Sequence, residues 1–212
     1  MRPLATLLLL ALPLLGGCGS AYYAAMEKVG FEKRDILVDR VEDARDAQED
    51  AQEQFSSALE QFSTLIEFDG GELQDVYEEL SDEYEASRKA AGRVSDRIDS
   101  IEDVGEDLFD EWSGELAEYS NERLRRDSER KLRDTQRRYG QLVQTMRRAE
   151  SRMAPVLEAL QDNVLYLKHN LNASAVGALQ GELGDIRADV DRLISEMNSA
   201  IEESNRFIAS LE

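Results

Sequence analysis

From Leu37 onward, apolar side chains recur with alternating steps of four and three residues, and little in the chain is able to interrupt the helices that this spacing implies. A 3.5-residue repeat keeps one seam of a helix facing its neighbours along the whole length. The first series runs Leu37, Val41, Ala44, Gln48, Ala51, Phe55, Ala58, Phe62, Leu65, and the second runs from Leu73 through Tyr77, Leu80, Tyr84, Ser87, Ala91, Val94, Ile98, Ile101, Gly105 and Leu108 to Trp112. A third continues from Leu132 through Thr135, Tyr139, Leu142, Met146, Ala149, Met153, Val156, Leu160, Val164 and Leu167 to Leu171, and a fourth from Leu179 to Leu211. Of three prolines only Pro155 lies beyond residue 18. The pattern predicts an all-α fold, a long antiparallel coiled-coil-like helical bundle of about four helices.

Turn chemistry supplies the breaks. Asp69-Gly70-Gly71 is expected to end the first helix, because glycine takes the left-handed conformation that closes one. Gly114 and Ser120-Asn121 mark a second break, and Asn170 to Ser174 a third, with Ser174 as the expected cap of the last helix. Pro155 is expected to kink or split the third helix near Met153. Nine acidic and no basic residues lie between Asp99 and Glu118, and eight basic against three acidic between Arg123 and Arg138. A reversal near Tyr119 would lay these stretches side by side, with Asp107 roughly level with Lys131 and within reach of Arg130.

The amino end has a different character. Met1 and Arg2 precede an apolar run from Leu4 to Leu15, shorter than the roughly 20 residues of a membrane-crossing helix and interrupted by Pro13. This is the form of a secretory signal that is removed. Its end, Leu15-Gly16-Gly17-Cys18, resembles the bacterial lipobox, with Gly16 a less common occupant of its place. The resemblance implies cleavage between Gly17 and Cys18, and a covalent diacylglycerol and N-acyl lipid on Cys18. Two or more acyl chains hold a protein stably to a bilayer where one does not. In that class Asp after the cysteine favours the inner membrane, and Gly19 and Ser20 here imply the outer membrane, facing the periplasm. The expected domains are 1–17, signal peptide; 18–33, lipidated cysteine and leader; and 34–212, a single helical bundle. Cys18 is the only cysteine, so no disulfide forms within the chain. Loss of residues 1–17 leaves 24 basic against 45 acidic residues, a net charge of −21 that opposes nonspecific binding of nucleic acid or of anionic lipid headgroups.

No catalytic motif stands out. His169 is the only histidine and has no companion ligands at metal-site spacing, so no metal and no cofactor beyond the lipid is expected. Glu78, Glu79, Asp82, Glu83 and Glu85 lack the glycine and the alternation of a calcium loop and read as a solvated face. The basic run from Arg123 to Arg138 is expected to pair with the preceding acidic stretch; lipopolysaccharide or phospholipid headgroups are the alternative partners. Trp112 reads as a core side chain near the hairpin tip, and with Arg130 and Lys131 it marks a candidate partner surface.

Tyr22-Tyr23-Ala24-Ala25-Met26-Glu27-Lys28-Val29-Gly30 and the residues from Lys33 to Val41 resemble the start of an uncharacterised Gram-negative lipoprotein family catalogued as domain of unknown function 2959. Phe68-Asp69-Gly70-Gly71, Leu108-Phe109-Asp110-Glu111-Trp112, Pro155-Val156-Leu157 and Leu167-Lys168-His169-Asn170-Leu171-Asn172 agree with it. The resemblance implies a lipoprotein with one domain and imports no activity. The expectation is a nonenzymatic, lipid-anchored envelope protein acting as periplasmic scaffold, spacer or adaptor for envelope proteins, with a homo-oligomer as one form of assembly. The alternative is a transport accessory that holds a small ligand or lipid inside the bundle, where Ala44, Ala51, Ala58, Ser87, Ala91 and Gly105 either let helices approach or leave room for a guest.

Overall fold

The computed structural model describes residues 32–67 and 73–211. The signal, Gly17, Cys18, most of the leader and the Asp69-Gly70-Gly71 turn lie outside the described residues. Among those described there are five helices and no strand: α1 (Lys33–Ile66), α2 (Leu73–Glu115), α3 (Glu122–His169), α4 (Ala173–Leu179) and α5 (Glu182–Leu211). None is long and apolar enough to cross a membrane.

The four long helices form a ring in which α1 packs on α2 and α5, and α3 packs on the same two. Every neighbour is antiparallel. Gln61 bonds Glu79 at 2.8 Å while Arg97 pairs with Asp43 at 3.3 Å, so rising numbers on α1 meet falling numbers on α2. Likewise Arg45 Nη1 donates to Asn205 and Gln52 Nε2 to Asn198, both at 3.4 Å, between α1 and α5. The beginning of α1 and the α2–α3 hairpin therefore share one end of the bundle, where Lys33 Nζ sits 2.6 Å from Glu111.

The seam lines the core as its spacing requires. All nine members of the first series, Leu37 to Leu65, are fully buried. In the second, Leu80, Val94, Ile98 and Ile101 are fully buried, while Ala90 takes the covered place given above to Ala91. Leu132 and the positions from Leu142 to Leu167 are buried in α3, and Ile186 to Phe207 in α5, joined there by Ile208. Leu171 is exposed, because α3 ends at His169 and the seam has no helix to carry it further.

Three local expectations change. Ser174 does not cap the last helix: Asn172 Oδ1 accepts from the Ala175 amide at 3.1 Å, which starts α4 two residues earlier. The last segment also breaks at Gln180-Gly181, so the bundle has five helices, in a stretch where Gly177, Gly181 and Gly184 weaken helix propensity by about 1 kcal/mol each relative to alanine. Of the two outcomes expected at Pro155, a kink or a split, the split does not occur: α3 runs unbroken from Glu122 to His169. The proline ring lies on the exposed side, so the Ser151 carbonyl that loses its helical donor faces water instead of the core.

Candidate functional site

The hairpin of α2 and α3 concentrates the residues singled out in the sequence. Asn121 starts α3 by accepting from the Arg123 and Leu124 amides at 3.0 and 3.3 Å, a cap that satisfies two otherwise orphaned donors. Trp112 is half-buried beside this turn, and its indole Nε1 donates to Ser128 Oγ at 2.7 Å, which explains why a serine occupies a buried α3 position. One stagger deeper, Phe109 meets Tyr139 edge-on with ring centroids 5.1 Å apart, and Tyr139 in turn lies against Phe207 of α5 at 6.4 Å. Gly105 makes this possible. A Cβ there would stand 2.5 Å from the Tyr139 ring, so the glycine admits an aromatic from the facing helix. The Tyr139 hydroxyl donates to the Ile101 carbonyl at 3.2 Å. Burial, reinforced by Glu102, Glu106 and Asp103, pushes its pKa up to about 12, so it stays a neutral donor.

The charges do not pair as expected from sequence. Arg130 and Lys131 both bind Asp127, at 2.6 and 3.3 Å, and not Asp107. Arg125 and Arg126 share Glu122 at 2.8 Å, holding its carboxyl down at about 2, while Arg133 takes Glu129 and Arg137 takes Asp134. Helical neighbours three and four apart are already within side-chain reach, and most of these arginines face away from α2. The register differs as well, since Gly105 faces Tyr139 and Trp112 faces Ser128. The link between acidic α2 and basic α3 is instead made by Arg147, which bonds Asp99 and Glu102 across the helix pair and Glu150 on its own helix at 2.9 Å. Its guanidinium pKa is raised, chiefly by the bond to Glu102. Sequence spacing put Arg147 outside the basic run, so only its acidic neighbours in space identify it.

Two further surfaces bear on chemistry. At the end of the bundle away from the start of α1, Leu165, Tyr166 and Leu171 are exposed apolar side chains. Between α1 and α5 lies an open groove of about 400 Å³ that includes Leu59, Ser63, Arg187, Val190, Asp191 and Ile194. Among the described residues no His, Cys, Asp and Glu side chains gather in a group able to hold a metal ion, and His169 stands in the last turn of α3.

No curated protein and no solved structure matches the chain. A family model described as "Protein of unknown function (DUF2959)" matches residues 22–211.

Proposed function

Because the chain belongs to this DUF2959 family, whose description assigns no activity, we propose from its own residues that it is a nonenzymatic envelope protein. It is held by lipid on Cys18 to the periplasmic face of the outer membrane and works as a scaffold, spacer or adaptor. The observation that supports this most is the length of the bundle combined with where its chain begins. At ~1.5 Å per residue, a 48-residue α3 extends roughly 70 Å. A tether entering at Lys33 leaves the opposite end, with Leu165, Tyr166 and Leu171, far from the anchor. That end is where an envelope partner would be met. Filling of the Gly105 space by Tyr139 favours close helix approach over room for a guest, and so weighs against the ligand-carrier alternative at that position.

The test is metabolic labelling with a fatty-acid analogue in cells, followed by photocrosslinking from a probe at Tyr166. Native chain should take up label and enter the outer-membrane fraction, and Cys18→Ser should do neither. Equal labelling of both would remove the anchor from the proposal. An anchored chain that gives no crosslink from Tyr166 to another envelope protein would remove the adaptor role at that end.

A further inference from the structure

The distribution of charge over the bundle is uneven. α3 carries twelve basic against seven acidic residues, whereas α1 has four against nine, α2 four against fifteen and α5 three against seven. Within α3, Arg123, Arg126, Arg130, Arg133 and Arg137 recur with steps of three, four, three and four, opposite the buried side marked by Ser128, Leu132, Leu142 and Met146. All five are exposed. Arg148 and Arg152 extend the same side of the helix and are exposed too. The result is a straight outward ridge of guanidinium groups on a chain of net charge −20.

We propose that this outer face of α3 lies against the anionic phospholipid headgroups of the membrane to which Cys18 is tethered, so that the bundle lies along the bilayer as an adaptor instead of standing off it as a spacer, a reading that rests on the anchored function proposed above. Three observations support it. The tether ends at the correct place: α1 begins beside Glu111, next to the hairpin from which the arginine ridge starts. Even fully extended at ~3.3–3.6 Å per residue, the chain from Cys18 to Lys33 reaches only about 50 Å, so the hairpin end of the bundle, where the ridge starts, stays within that distance of the anchor.

The ridge is also free to bind. Arg126, Arg130, Arg133 and Arg137 are held only by carboxylates on their own helix, in exposed pairs of small net strength that a phosphate is able to replace. Arg123, Arg148 and Arg152 make no ion pair among the described residues. A linear, convex row of forked donors suits a plane of phosphates better than a single enclosed ligand.

The strongest objection is the overall negative charge, and the geometry answers it. The acidic helices lie on the buried side of α3, across a helix of ~10–12 Å diameter, while salt screens charges over about 8 Å at physiological ionic strength. A headgroup plane on the arginine side therefore meets the ridge together with the α3 carboxylates already paired to it, Glu122, Asp127, Glu129 and Asp134, which leave α3 an excess of basic charge.

The experiment measures cosedimentation of the mature chain carrying Cys18→Ser with vesicles of phosphatidylglycerol mixed with phosphatidylcholine, and with phosphatidylcholine alone. Binding should need phosphatidylglycerol and weaken as salt rises. Each basic side chain near such a surface contributes about a factor of five. Replacing Arg126, Arg130 and Arg133 together with Gln should thus weaken binding on the order of a hundredfold. The same three-charge change at Arg187, Arg192 and Arg206 of α5 should leave binding within about twofold, because those residues lie off the ridge. Retained helical circular dichroism establishes that both variants fold, and the lipid preference and salt response of the unsubstituted chain stand independently of them. No preference for phosphatidylglycerol, or equal loss in the two variants, overturns the proposal. Labelling of Cys18 in cells separates this from the anchor: vesicle binding without labelling removes the anchor and keeps the ridge, and labelling without vesicle binding does the reverse.

Discussion

Gly105 and Gly92 occupy the same helix and carry opposite consequences. A Cβ at Gly105 would strike the Tyr139 ring, which has no easy escape because it packs edge-on against Phe109 and its hydroxyl donates to the Ile101 carbonyl. A Cβ at exposed Gly92 meets nothing within 4 Å. Urea denaturation should therefore show Gly105→Ala losing about 1–3 kcal/mol, as overpacked cores do. Gly92→Ala should gain about 0.5–1 kcal/mol from helix propensity. Equal effects would mean that Tyr139 does not depend on the missing side chain. Gln48 raises a different matter, for it lies fully buried in the first seam with neither its Nε2 nor its Oε1 bonded. Its heptad place was legible in the sequence, but the absence of a partner was not, since that depends on what three other helices bring to the same layer. An unbonded buried polar group costs roughly 1–3 kcal/mol, so Gln48→Met should raise the urea midpoint by an amount equivalent to about 1 kcal/mol or more. A fall would show that the amide is satisfied in solution.

At the scale of elements, α3 shows how context overrides a local rule. Proline inside a helix removes one backbone bond and crowds the preceding turn, yet α3 passes Pro155 without ending. Packing of Met153, Val156 and Leu160 holds that stretch against the core, and the lost donor falls on the wet side. Pro155→Ala should accordingly raise the melting temperature, with a gain of about 1–3 kcal/mol, smaller where water already satisfies the carbonyl. A lower melting temperature would mean that the ring contributes more to the closed bundle than its missing backbone bond costs. The start of α4 went the other way. Asn172 and Ser174 are both competent caps in sequence, and the extended backbone at Asn172 decided between them.

Among the described residues, four long helices close as a ring in which α1 meets α5. If that closure occurs within one chain, cysteines replacing Gln52 and Asn198, in a Cys18→Ser background, should be joined by a short bismaleimide without change in oligomer size, because the two side chains bond in the native structure. Links found only between chains would show that α1 and α5 meet in trans. The sequence by itself determined the four long helices, their antiparallel order and most core positions, because a seven-residue apolar repeat has one buried side whatever surrounds it. It also located the basic run. Tertiary structure alone decided where those charges go, because a linear charge count carries no direction around the helix axis. The sequence paired Arg130 and Lys131 with α2, whereas the folded chain turns the Arg130 side outward, leaves both on Asp127, and gives the crossing to Arg147. The register between α2 and α3 is set by how closely Tyr139 approaches Gly105. That fit depends on shape across two helices, and no spacing within either one contains it.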